Sequence, residues 1–96
     1  MNYYILNYKL ADSYLNDRGK YRAEHLGMAK EAAEKGELIL GGAMDEPADE
    51  AVLIFRSEND KIAKGFAESD PYVKNGLVKQ WEVRKWNAVV GSKIDN

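Results

Sequence analysis

The chain has 96 residues and a mass of 10.8 kDa, with 45% hydrophobic residues, 31% charged residues and a formal net charge of −2. That is enough for one small domain that buries roughly two-thirds of its surface, and too apolar for a disordered chain. The charge balance lacks the basic footprint of a nucleic-acid binder, and the longest apolar run, Ala51 to Phe55, is far too short to cross a bilayer.

Tyr3 to Tyr8 (YYILNY) is rich in strand formers and reads as strand one. Ala11 to Lys20 carries Asp, Ser, Asn and Gly and reads as a loop. A helix is predicted from about Arg18 to Lys35, with Asp17 as its N-cap and Gly36 as the glycine just past its end. Glu37 to Met44 is strand two, Asp45 to Glu50 an acidic turn around Pro47, and Ala51 to Arg56 strand three. Asn59 to Glu68 reads as a second, shorter helix, and Asp70-Pro71-Tyr72 opens a further helical turn. Val78 to about Val90 is a long final strand, or a strand with a tail. No repeat, linker or low-complexity segment divides residues 1–96. The order is βαββαβ, which predicts an α+β fold of the ferredoxin-like sandwich type.

Two helices cover only one face of a four-stranded sheet. A second face in water calls for apolar–polar alternation, yet Val52, Leu53, Ile54 and Phe55 are all apolar. Strand one has large residues on both faces, and Trp81 and Val83 add an apolar face to strand four. The simplest cover is a second copy, so a homodimer joined through its sheets is expected.

The short list of chemical agents narrows the function. There is no cysteine, which excludes disulfides, thiolate metal sites and cysteine nucleophiles and fits a cytoplasmic protein. No signal peptide is expected, because no charged–apolar–cleavage pattern opens the chain. His25 is the only histidine, so no zinc site is expected. On a helical wheel Tyr21, Met28, Ala29 and Ala32 fall within about 60° of His25, which sits inside the apolar stripe beside small side chains. Such a histidine is either a structural residue bonded to a backbone carbonyl or a general acid/base lining a pocket. Asp70 before Pro71 caps a helical turn; its second oxygen is free to orient a histidine. The carboxylates around Pro47 lack the spacing of a calcium loop, and Gly41-Gly42 lacks a phosphate-loop pattern. Trp81, Trp86 and Tyr72 are either pocket-lining aromatics or core and interface.

The run Arg22-Ala23-Glu24-His25-Leu26 resembles the R-x-x-H-L opening of helix one in the YciI-like, or YCII-related domain, family. Gly36, Leu38 and Gly42 resemble that family's passage from helix to strand, and Asp70-Pro71-Tyr72 with Gly76 and Leu77 resembles its D-P-Y motif. The resemblance runs from Tyr3 to about Trp86. Two departures are Ala43 and Lys85-Trp86, where relatives often carry proline, and the tail Asn87 to Asn96 is unmatched and expected to be partly disordered. The resemblance implies a dimeric α+β barrel and a histidine–aspartate pair, which by motif is His25 with Asp70. One branch of the family is associated with dehydrochlorination of a chlorinated hydroxyquinol, and most members have no assigned substrate.

The leading functional expectation is a small cofactor-free enzyme, a lyase or isomerase acting on a small polar cyclic or aromatic compound. His25 moves a proton, Asp70 orients it, and Arg22, Tyr72 and Trp81 bind substrate. One alternative is a non-enzymatic module of the same fold that binds a small ligand or regulates. Another is a heme- or oxygen-handling enzyme with His25 on the iron. The expected partners are a second copy of the chain and a small molecule, without metal, nucleic acid or membrane.

Overall fold

The computed structural model describes residues 1–92. Strand β1 (Asn2–Leu10) is followed by a short helix α1 (Tyr14–Asp17), a 3-10 turn (Arg18–Lys20) and helix α2 (Arg22–Glu34). Then come β2 (Leu38–Ala43), β3 (Glu50–Ser57), α3 (Lys61–Ser69), α4 (Pro71–Lys74) and β4 (Val78–Trp86). The sheet order is β2-β3-β1-β4 and all three pairings are antiparallel, which is the ferredoxin-like arrangement. None of the helices among the described residues is long and apolar enough to cross a membrane.

Period-two alternation sorts the sheet into two faces. Tyr4, Leu6 and Tyr8 of β1 pair with Phe55, Leu53 and Ala51 of β3, and all six are buried beneath the helices. Fully burying a side chain such as Leu6 or Phe55 contributes about 1.5–3 kcal/mol, so this face anchors the fold. Trp81 and Val83 stand opposite Tyr8 and Leu6, and so lie on this same helix-facing side, half-buried against the core. They do not extend the other face, as their apolar character had suggested. That open face carries Tyr3, Ile5, Val52 and Ile54, all half-buried, together with Lys9, Glu50, Glu82 and Arg84. Its one ion pair among the described residues is Lys9 to Glu50 at 2.8 Å.

Three boundaries differ from the sequence reading. The segment Ala11 to Lys20 contains α1 and the 3-10 turn, because Tyr14 buries its ring and draws the chain inward. Helix α2 therefore starts at Arg22, and its N-cap is Tyr21 with no side-chain cap rather than Asp17. Strand β4 ends at Trp86, where β1 runs out of partners after Tyr3. Residues 87–92 form neither helix nor strand, and the rest of the expected tail, residues 93–96, lies outside the described residues.

Both helix ends that lead towards the site close with the same device. Gly36 has φ +78°, its N–H donates to Ala33 O, and Glu37 N–H donates to Ala32 O. Gly76 has φ +78°, its N–H donates to Val73 O, and Leu77 N–H donates to Tyr72 O. This is the Schellman closure, which needs a left-handed residue at the turn and satisfies carbonyls that the helix leaves orphaned.

Candidate active site

Asp70 lies between α3 and α4 and is fully buried. As N-cap of α4 it accepts the Tyr72 N–H on Oδ1 at 3.0 Å, with Pro71 at the first helical position. A backbone cap uses one lone pair, and two further donors converge on the same carboxylate. Tyr8 donates its hydroxyl to Oδ2 at 2.7 Å, and His25 Nδ1 is 2.9 Å from both oxygens. A buried carboxylate without partners is costly; three donors from β1, α2 and α4 offset that cost. A carboxylate only accepts, so the hydrogen bond requires the proton on His25 Nδ1. Burial, and then the Asp70 charge and hydrogen bond, push the Tyr8 phenol far above its ordinary value near 10, so Tyr8 acts as a fixed donor.

The imidazole is held by two aromatic rings. Its plane stacks on the Tyr72 ring, with centroids 4.1 Å apart and an interplanar angle of 14°. Phe66 meets it edge-on at 6.2 Å. Only about 15% of the His25 side chain is exposed. The apolar stripe on α2 explains this placement, since Tyr21, Met28 and Ala29 pack on the core around it and Ala32 is buried.

His25 opens onto a cleft of about 640 Å³. Residues of α1, the 3-10 turn and α2 form one wall, including Tyr14, Arg18, Arg22 and Leu26. The β2 end and the loop after it form the other, from Gly41 to Ala48. A Cβ on Gly41 would stand 3.2 Å from Leu53 Cγ, so a side chain there would crowd the buried Leu53. With Nδ1 engaged by Asp70, Nε2 is the ring nitrogen left for a ligand. The Tyr72 hydroxyl is buried without a hydrogen-bond partner among the described residues. Burial raises its pKa, Tyr14 adds to the rise, and the charge and proximity of the Arg22 guanidinium pull the other way.

Of the residues singled out from sequence, the structure brings His25, Asp70, Arg22 and Tyr72 together. It sets Trp81 apart: Trp81 does not line the cleft, because its register opposite Tyr8 packs it against the core. Three contributors were not singled out. Tyr8 was legible in principle, since a tyrosine on the buried face of β1 needs a partner for its hydroxyl. Tyr14 and Arg18 were hidden because their segment read as loop and helix start. Arg18 sits over the Tyr14 ring, 5.5 Å from its centroid, and Tyr14 meets Tyr72 edge-on at 5.6 Å. Among the described residues, no three His, Cys, Asp or Glu side chains gather as metal ligands.

A family model described as YCII-related domain matches residues 1–87. No curated protein matches significantly. Among solved structures, the chain is similar to 5-chloro-2-hydroxyhydroquinone dehydrochlorinase (TftG) from Burkholderia phenoliruptrix AC1100, solved in complex with 2,5-dihydroxybenzoquinone. The TM-score is 0.74 at 24% identity, over 88% of this chain and 93% of that one. Protein Atu4242 from Agrobacterium tumefaciens is similar with a TM-score of 0.63 at 21% identity, over 99% of this chain and 100% of that one. Likeness at these identities shows a shared fold.

Proposed function

The chain belongs to the YCII-related domain family, and from that premise we propose that it is a small cofactor-free enzyme of lyase or isomerase type, acting on a small polar cyclic or aromatic compound. The observation that carries this reading is the contact of His25 Nδ1 with both oxygens of a fully buried Asp70, beside an open cleft. A histidine needed only for packing has no reason to line an open cleft.

In the proposed step, Nε2 takes a proton from an acidic C–H or O–H of the bound ring. The electron pair left behind expels a leaving group from the neighbouring carbon or moves into a conjugated carbonyl. The imidazolium keeps its Nδ1–H on Asp70, whose charge stabilises it, and then returns the proton to another position or to water. His25 is the catalytic residue; Asp70 and Tyr8 are positioning residues that fix its tautomer. The dehydrochlorinase of the same fold is named for a hydroxylated ring, which agrees with a ring-shaped substrate here.

The same reading includes assembly and place. Ile5 and Ile54 lie opposite each other at the centre of the open sheet face. We propose that this face meets a second copy, since contiguous apolar patches seldom stay in water. The lack of cysteine fits the cytoplasm.

The test is proton exchange. The protein is incubated in D2O with hydroxylated benzoquinones, cyclic enols and 5-chloro-2-hydroxyhydroquinone. We expect deuterium uptake or chloride release with the wild-type chain and neither with His25→Gln. No reaction across the panel, or rates that survive His25→Gln, contradicts the enzyme reading and leaves a binding module.

A further inference from the structure

The cleft carries charges that the proton-transfer step does not use. Arg18 and Arg22 both line it from the α1–α2 wall, and neither forms an ion pair among the described residues. Each is nevertheless placed. Arg18 rests on the Tyr14 ring, which limits the freedom a guanidinium must otherwise lose on binding. Arg22 lies three residues before His25 on α2, which puts it on the turn next to the imidazole. The buried Tyr72 hydroxyl beside it lacks an acceptor, an arrangement that is unfavourable until one arrives. Two guanidiniums without an ion pair and a hydroxyl without an acceptor, all lining one cleft, suit an oxygen anion.

Opposite charges face them. Asp45 and Glu46, on the loop after β2, line the other side of the same cleft. They balance the two arginines in formal charge, and the buried Asp70 adds one more negative charge nearby. A ligand with several negative charges therefore meets repulsion from the loop wall, while a single oxyanion turned towards the arginines does not.

We infer that the cleft selects a planar ring compound bearing one anionic oxygen group, a carboxylate or an enolate, seated against Arg18 and Arg22 with the ring turned towards His25. Arg22 is exposed on its helix, and when it swings to the anion the Tyr72 hydroxyl gains the same oxygen as acceptor. Arg18 is then a specificity-determining residue, held by Tyr14. This rests on the reading of the cleft as the substrate site and adds the class of substrate.

Calorimetry on the wild-type chain tests it with three probes: 2,5-dihydroxybenzoate, neutral hydroquinone and benzene-1,3,5-tricarboxylate. We expect the monoanion to bind at least about ten-fold more tightly than either of the others. Arg18→Gln and Arg22→Gln should each weaken the monoanion about five-fold or more and leave hydroquinone unchanged. Equal affinity for the three probes, or preference untouched in both arginine variants, overturns the inference. His25→Gln separates the two proposals. Monoanion preference retained in His25→Gln supports the anion site; preference lost there while both arginine variants keep it contradicts the site. Proton exchange on neutral rings without any anion preference sinks the anion site and spares the enzyme.

Discussion

His25 Nδ1 lies 2.9 Å from each carboxylate oxygen of Asp70, although 45 residues of chain separate them. The contact is made possible by the cap of α4. Pro71 starts that helix, Asp70 turns its carboxylate inward to cap it through Oδ1, and both carboxylate oxygens lie within reach of His25 on α2. One residue thus serves local structure and the site together.

Asp70→Asn separates these two duties. Asn caps a helix nearly as well as Asp, so the fold should survive with a loss of about 1–3 kcal/mol from imperfect pairing of the buried amide. It carries no charge to stabilise an imidazolium. Deuterium exchange on any substrate found should fall at least about 100-fold. Circular dichroism with exchange kinetics checks both; unchanged kinetics in a folded Asp70→Asn contradicts the positioning role.

Tyr8→Phe removes the 2.7 Å donor to Asp70 and nothing else in volume terms. A hydrogen bond to a buried charge is worth about 1.5–3 kcal/mol, and urea denaturation at neutral pH should show a loss of that order. The pH dependence has a definite sign. The folded protein holds the Tyr8 proton far more tightly than the unfolded chain, whose phenol ionises near 10. Below about pH 10 that contribution is fully present. Above it the unfolded state sheds its proton first, so stability falls as pH rises. Urea midpoints followed from pH 8 to 11 should decline more steeply for the wild-type chain than for Tyr8→Phe. Parallel declines contradict the buried phenol.

The open sheet face gives a third expectation. Sedimentation at micromolar concentration should report twice the chain mass. Ile54→Asp should give a folded monomer, since a dimer would bury an unpaired charge at its centre. A wild-type chain that sediments as a monomer contradicts the sheet-to-sheet pairing.

Gly76→Ala tests the turn that delivers the chain to β4. Its φ of +78° suits glycine alone, and alanine there should cost about 1–2 kcal/mol without altering exchange kinetics. A melting temperature equal to wild type contradicts the Schellman closure.

Much of this was legible before the fold was known. The order of elements followed from strand formers, glycine stops and the Asp-Pro cap, because each is a local signal. His25 within the apolar stripe of α2 followed from helical periodicity. Tyr8 shows where legibility stops: a tyrosine on the buried face of β1 needs a hydroxyl partner, but which partner depends on β1 lying under the cap of α4, a contact across 62 residues that no local pattern reports. Trp81 fails for the same reason. Its face is set by pairing opposite Tyr8, and β4 alone does not say which alternate set turns towards the helices. Arg18 was assigned to a helix start because a charged, glycine-containing segment hides the short α1, which exists only because Tyr14 finds a place in the core.

In the proposed step Asp70 fixes the His25 tautomer so that Nε2 is the base. His25 is the only histidine in the chain, so a ¹⁵N-labelled sample gives a single imidazole spectrum. Long-range ¹H–¹⁵N correlations, recorded at a pH where the ring is neutral, identify which nitrogen carries the proton. The proton is expected on Nδ1 and the lone pair on Nε2. A ring protonated on Nε2, with Nδ1 bare beside Asp70, would contradict that step.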